Sequence, residues 1–398
     1  MSLLTVADAL DRLFALIRPM GVEAVPLAGA AGRVLRADGV AERDQPPFAA
    51  SAMDGYAVRV ADATRDAVLP VAGEAAAGRS FHGPLPHGAA VRIFTGAPVP
   101  VGADAVLIQE NAEAHEGHIR VLEAPDQDRY IRPAGGDFRS GARLVAPRWL
   151  GPRDLGLAAA MNLPTLTVSR RPSVAIIPTG DELVWPGADP GPDQIVASSG
   201  FGLAARLARL GAEPRLCPIA LDTAASVRRA LEQAAGADVI VTLGGASVGE
   251  HDFVAGVLDA LGAERSFYKI AMRPGKPLMA GRLGESAVVG LPGNPVSTMI
   301  CTEIFLVPAL EAALGLPARA RARSTAVLAE DLPANGPREH YMRALLEHRG
   351  DGPDLVRAFE NQDSSLVFTL AEANAVIVAD PHAPHRRAGT VVEVIPLD

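Results

Sequence analysis

Carboxylates and cations on short turns that follow apolar runs carry most of the chemistry in this chain of 398 residues. Asp181 and Glu182 lie in Pro178-Thr-Gly-Asp-Glu-Leu183, Asp222 follows the apolar run ending near Ile219, and Glu250 and Asp252 close Gly244-Gly-Ala-Ser-Val-Gly-Glu-His-Asp252. Hard oxygen ligands of this kind suit a magnesium ion shared with a phosphorylated ligand, so Asp181, Glu182 and Asp252 are the candidate metal ligands. Lys269, Arg273 and Lys276 fall within eight residues of one another and supply the positive charge that a phosphate or another tetrahedral oxyanion needs. Gly244, Gly245 and Gly249 let the backbone turn where side chains would clash, presenting N–H groups to an anion, with Ser247 beside them. The expected chemistry is transfer around a bound anion rather than covalent catalysis.

These turns need a scaffold. Val239–Leu243 is a short, mostly β-branched run of the kind that fills a strand covered on both faces. From Pro172 onward the pattern alternates regularly: strand over Val174–Ile177, helix over Phe201–Leu210, strand over Arg215–Ile219, helix over Ser226–Ala235, then the central strand. A further strand near Phe267–Ile270, the turn Leu291-Pro-Gly-Asn-Pro295 and a long apolar helix to about Leu314 complete it. The spacing predicts a doubly wound, mostly parallel α/β sheet over residues 172–316, with the crevice beyond the carboxyl ends of its strands as the ligand site. Upstream, Thr5 and Asp8 read as a capping box opening a helix from Val6 to Ile17 that Pro19 stops. Residues 1–50 and 139–171 form a discontinuous N-terminal helical and linker domain. Short β-type runs (Tyr56–Val60, Val91–Thr95, Ala105–Gln109, His118–Leu122) predict an inserted β-rich domain over 51–138, and alternation after Pro317 predicts a small C-terminal β domain over 317–398. The fold class is therefore multidomain α/β plus β.

Composition narrows the function. Apolar residues make up 48% and charged residues 21%, enough for sizeable cores. A formal charge of −9 argues against a general nucleic-acid binder or a ligand of anionic membranes, while leaving room for a local basic pocket. Cys217 and Cys301 offer neither zinc spacing nor a disulfide framework, which fits a reducing compartment. With no cationic leader and no run of 18 uninterrupted apolar residues, a cytoplasmic protein without nucleic-acid or membrane partners is expected.

Six motifs, in order along the whole chain, resemble the signature set of the molybdopterin molybdenumtransferase family, the bacterial MoeA type. They are Ser51-Ala-Met-Asp-Gly-Tyr-Ala57, Arg92-Ile-Phe-Thr-Gly-Ala-Pro-Val-Pro100, Pro178-Thr-Gly-Asp-Glu-Leu183, Gly244-Gly-Ala-Ser-Val-Gly249, Arg273-Pro-Gly-Lys-Pro277 and Leu291-Pro-Gly-Asn-Pro-Val-Ser297. The resemblance implies that adenylylated molybdopterin and molybdate are the substrates, that molybdenum is inserted into the dithiolene, and that AMP leaves in a magnesium-dependent hydrolysis. It implies catalytic roles for Asp54, Asp137, Glu182, Asp222, Asp252 and Lys269. It implies substrate contacts at Thr95, Thr179, Gly180, Gly244, Gly245, Ser247, Gly249, Pro292, Gly293, Asn294 and Ser297, and molybdate contacts at Arg273, Lys276, Arg343 and Ser364. A homodimer is implied as well, with Asp54 and Asp137 reaching the partner's pocket, together with transient contacts to a molybdopterin adenylyltransferase and to acceptor molybdoenzymes. Arg273, Pro178, Ser199 and Asp363-Ser-Ser365 depart from the family's usual residues. The alternatives are a molybdopterin adenylyltransferase and a non-catalytic scaffold.

Overall fold

The computed structural model describes residues 3–245 and 253–397. They divide into two compact units: the first contains residues up to Glu23, Gly32–Arg36 and the chain from Val168 onward, the second Ala24–Ala31 and Ala37–Thr167.

Six strands build the α/β part of the first unit: β1 (Ser173–Pro178), β2 (Glu213–Leu216), β3 (Val239–Leu243), β4 (Glu264–Tyr268), β5 (Met279–Leu283) and β6 (Ser286–Leu291). Their order is β2-β1-β3-β6-β5-β4. β1 runs parallel to β2 and β3, and β3 to β6, whereas β5 and β4 are antiparallel additions at one edge. Every residue of β3 and β6 is buried, which is why their sequences read as mostly apolar runs, with Thr242 and Ser286 the polar members, rather than as alternations. Ala175, Ile177, Ile240 and Val288 pack on Val227 and Leu231 of helix Ala224–Gln233 and on Val254 and Leu258 of helix Phe253–Ala260.

Two strand boundaries differ from the sequence reading. The run expected over Arg215–Ile219 is a strand only over Glu213–Leu216, with Pro218, which has no N–H to give to a ladder, just beyond. The strand expected over Phe267–Ile270 occupies Glu264–Tyr268 and stops because Lys269 adopts a left-handed φ of 67°.

The apolar helix foreseen after Pro295 spans Pro295–Ala313, with a π-helical stretch at Thr302–Leu306 in its middle. Pro308 lacks an N–H and crowds the carbonyl four residues before it, so the wider turn immediately upstream accommodates it. By length and composition this helix could cross a membrane, but 83% of its most apolar window is buried inside the protein. Helix Ser199–Arg209 packs on it. Between them Arg206 grips Glu303 bidentately, Nε to Oε1 at 2.5 Å and Nη2 to Oε2 at 3.1 Å, both side chains being buried.

The C-terminal strands β7 (Ser324–Leu328), β8 (Glu339–Glu347), β9 (Leu355–Ala358), β10 (Ala375–Ala379) and β11 (Val391–Pro396) form a closed barrel, since the order β8-β9-β7-β11-β10 returns from β10 to β8. Its interior holds Leu328, Met342, Leu346, Val356, Ile377 and Val394. Met272–Arg273, from the loop between β4 and β5, lies parallel to Glu339 and His340 of β8 as an added strand.

The second unit contains a six-stranded sheet in the order Ala105–Ile108, Gly55–Val58, Ala90–Ile93, Val68–Ala75, His118–Val121, Ala112–His115. At the N-terminus of the chain, Thr5 caps helix Val6–Leu16 by accepting from the Asp8 N–H at 3.1 Å, while its hydroxyl donates to the Asp8 carboxylate at 2.6 Å.

Candidate active site

The register of the sheet decides which loops meet. Ile177, Thr242, Gly290, Met279 and Tyr268 stand in one row across five strands. The turns after β1, β3 and β6 and the loop joining β4 to β5 therefore leave the sheet at a single edge. Local hydrogen bonds draw the first three together: Thr179 N–H donates to Leu243 O at 3.0 Å, its hydroxyl donates to the same carbonyl at 3.1 Å, and Gly244 N–H donates to Leu291 O at 3.1 Å. Gly244 has φ +94°, and a Cβ there would sit 2.9 Å from Thr179 Oγ1 and 3.0 Å from Thr179 O. No side chain fits such a position without strain.

A cavity of about 830 Å³ opens at this edge. Of the substrate and catalytic residues expected from sequence, Thr179, Gly180, Glu182, Asp222, Gly244, Gly245, Pro292, Gly293 and Asn294 line it. Asp181 joins through its Oδ1, which accepts the Asp222 N–H at 2.9 Å and so fixes two acidic turns side by side. Ser297 is buried in helix Pro295–Cys301, one turn behind the wall. Ser247, Gly249, Glu250 and Asp252 lie outside the described residues. Among the described residues no group of three or more His, Cys, Asp or Glu side chains is gathered closely enough to hold a metal ion.

The cationic loop is split. Pro277 lines the first cavity, while Arg273 lines a second one of about 960 Å³ on the barrel side. The Lys269 ammonium sits 5.3 Å from the centre of the Tyr268 ring, and Arg273 and Lys276 are exposed. Beside Arg273 in the second cavity, His340 is only 8% exposed, and burial together with Arg273 and Arg338 pushes its pKa down to about 4. Arg343, expected at the oxyanion, is 1% exposed and donates to the backbone carbonyls of Asn361, Asp363 and Leu366. Ser364 does come to the first site: its hydroxyl accepts from Asn294 Nδ2 at 2.9 Å and its carbonyl from Val296 N–H at 3.1 Å.

Asp54, Thr95 and Asp137 belong to the other unit. Asp54 Oδ1 accepts from the Thr95 N–H at 2.7 Å and from its hydroxyl at 2.8 Å, which holds the carboxyl below its usual pKa, with Arg92 adding a smaller contribution. Asp137 is exposed and donates its backbone N–H to Gln45 O at 2.9 Å.

Sequence reasoning missed one wall of the first cavity, the parallel pair Leu183–Val184 and Ile195–Val196. Its signal was faint: two short apolar pairs around the Pro-, Gly- and Asp-rich residues 185–194. It also missed Gln362, which bridges to the backbone of Arg343 on both sides, at 3.0 Å each.

Residues 4–162 match the MoeA N-terminal region (domain I and II), residues 175–312 the probable molybdopterin binding domain, and residues 325–397 the MoeA C-terminal region (domain IV). The chain is 36% identical to molybdopterin molybdenumtransferase 2 of Mycobacterium tuberculosis over 382 residues, covering 93% of this chain and 94% of the relative. It is 33% identical to the molybdopterin molybdenumtransferase of Haemophilus influenzae over 384 residues, covering 96% and 95%. The crystal structure of the molybdopterin biosynthesis MoeA protein of Pyrococcus horikoshii superposes with a TM-score of 0.84 at 30% identity, over 99% of both chains.

Proposed function

Because this chain belongs to the molybdopterin molybdenumtransferase family and is a transferase, we propose that it takes adenylylated molybdopterin and molybdate, inserts molybdenum into the dithiolene and releases AMP. The observation that carries this reading is the cavity at the aligned ends of β1, β3 and β6, where glycine turns and acidic side chains face one space. Packing itself demands glycine at two of these turns, because a Cβ at Gly244 would strike Thr179 and one at Gly245 would strike Val254, and their backbone lines the cavity with that of Gly293. Glu182 and Asp222 place hard carboxylate oxygens on the cavity wall; since no three described carboxylates converge by themselves, a magnesium ion drawing on Asp181, Glu182 and Asp252 would need the ligand's phosphate oxygens to complete its shell. When bound, the ion would offset phosphate charge at the bond to AMP. Arg273, Lys276 and Lys269 supply the positive charge that attracts molybdate.

Asp54 and Asp137 complete the site from a second copy of the chain in a homodimer. Thr95 keeps Asp54 ionised for that task. The reaction belongs to the cytoplasm, with substrate received from a molybdopterin adenylyltransferase and product passed to acceptor molybdoenzymes.

The test is AMP release from adenylylated molybdopterin with molybdate and magnesium, read beside formation of molybdenum cofactor. Wild type should give both products, and Asp222→Ala should lose most of both while keeping the wild-type melting temperature. AMP release that ignores molybdate would overturn the reading, and absence of both products from wild type would favour a scaffold.

A further inference from the structure

We infer that Arg92 is a positioning residue for Asp54, fixing the turn from which the Asp54 carboxylate is presented; the consequence for activity rests on the molybdenum-insertion reading, the geometry does not. The turn is tied at every step. Ser51, fully buried, donates its hydroxyl to Met53 O at 2.5 Å and accepts the Met53 N–H at 3.3 Å. Gln109 donates its N–H to Asp54 O at 3.1 Å. At Gly55 a Cβ would stand 2.0 Å from Leu107 O, so a residue with a side chain cannot follow Asp54 without displacing the neighbouring strand. Arg92 adds the remaining tie: its Nη1 donates to Gly55 O at 3.2 Å and its Nη2 to Gln109 Oε1 at 3.0 Å. The carbonyls of Met53, Asp54 and Gly55 are thus each held, the third by Arg92 directly and the second by Gln109, whose side chain Arg92 also grips.

Arg92 is itself held in place. It stands opposite Tyr56 in the register of the sheet, and its Cζ lies 5.0 Å from the centre of the Tyr56 ring and 4.8 Å from that of Phe94, contacts that suit a flat guanidinium. A lysine would keep the charge, but a single ammonium on a flexible stem cannot rest on these rings and reach two acceptors as a planar fork does. Three residues further on, Thr95 takes hold of the side chain that the turn presents, and both of its bonds fall on Asp54 Oδ1. Oδ2 has no hydrogen-bond partner among the described residues and stays open to what Asp54 meets. One strand end therefore holds Asp54 twice, Arg92 by the backbone and Thr95 by the carboxylate. The two Thr95 bonds, more than the nearby Arg92 charge, keep the carboxyl below its usual pKa, so a turn that slackens should release Asp54 from that constraint even where a cation remains.

The experiment compares wild type with Arg92→Lys, Asp54→Asn and the Arg92→Lys/Asp54→Asn double variant. Carbon-13 labelling of aspartate follows the Asp54 carboxyl through an acid titration of the full chain, its signal assigned by its loss in Asp54→Asn, and AMP release is measured in parallel. The Asp54 midpoint should rise in Arg92→Lys, because the Thr95 bonds slacken although a positive charge is retained. An unmoved midpoint would show that Arg92 acts as a nearby charge or not at all, and would overturn the inference. For AMP release, kcat should fall at least about tenfold in Arg92→Lys with KM within about twofold, since the carboxylate is misplaced while the substrate cavity is untouched. Added to Asp54→Asn, the same change should cost less than about a further twofold, because Arg92 acts through Asp54. Additive losses, or wild-type kcat in Arg92→Lys, would equally sink the inference. If Arg92→Lys does not fold, Phe94→Leu, which removes one ring and leaves the cation, carries both readouts with the same expected directions. The titration needs no turnover, so a raised midpoint in a protein that releases no AMP would keep Arg92 in its role and remove the molybdenum-insertion reading instead.

Discussion

His340 on β8 shows how far a neighbourhood can move one residue. Burial is the largest cause of its depressed pKa, and the guanidinium groups of Arg273 and Arg338 add to it, so the ring stays neutral down to about pH 4 from an ordinary 6.5. The unfolded chain therefore takes up a proton first as the pH falls. The stability contributed by the neutral ring is fully present above pH 6.5 and is lost between there and about pH 4, amounting to at most about 3 kcal/mol. Replacing His340 with leucine should flatten the pH dependence of urea unfolding across that window, and parallel profiles for wild type and variant would contradict this account. Gly244 is the second such residue. Alanine there adopts an unfavourable φ and meets Thr179, a strain of about 1–3 kcal/mol. Gly244→Ala should weaken binding of adenylylated molybdopterin more than binding of molybdate in paired titrations. The glycine turn and the carboxylates were legible in the sequence because their residue types have few other uses. The contacts of Arg343 were not, since a sequence displays a charge but not the carbonyls that a fold places around it.

At the level of elements, the helices Ser199–Arg209 and Pro295–Cys301 present Ser199 and Asn294, at their starts, to the first cavity and are locked further along by Arg206 and Glu303. Removing one partner leaves a buried charge, so Glu303→Leu should lower stability by roughly 3–5 kcal/mol. Arg321 Nη2 also lies 3.5 Å from Glu303 Oε2, so the Arg206→Met/Glu303→Leu double variant should recover only part of that loss in urea denaturation, and equal losses in single and double variants would show that Arg206 and Glu303 do not act as a unit. Strands β1, β3 and β6 were readable from their apolar runs, as was the parallel core they form. Boundaries slipped where a proline or a left-handed residue ended a strand, at Pro218 and Lys269. Strand Val68–Ala75 went unread because Pro70 and Gly73 interrupt its pattern. The π-helical stretch at Thr302–Leu306 depends on a proline inside an otherwise helical run, a local conflict that composition alone does not resolve.

For the whole molecule, the proposed homodimer makes a quantitative demand. If Asp54 of one subunit serves the site of the other, mixing Asp54→Ala with Asp222→Ala chains should yield heterodimers with one intact site, and an equimolar mixture should regain about a quarter of wild-type AMP release. No recovery after subunit exchange would place both residues in the same copy's site. The separate β-rich region and the C-terminal β part could be read from strand spacing. That the chain returns to the first unit at Gly32–Arg36 before completing the second could not, because contact between distant segments leaves no periodicity. The short strand Met272–Arg273, lying on β8 although it comes from the α/β loop, makes the barrel a poor cassette. Cut out as residues 317–398, it would keep its own five strands but bare the backbone of Glu339 and His340, an open edge that invites pairing with other chains. A gene that inherited only this last segment would acquire an aggregation hazard, and one seeking a usable barrel would have to carry the cation loop along with it.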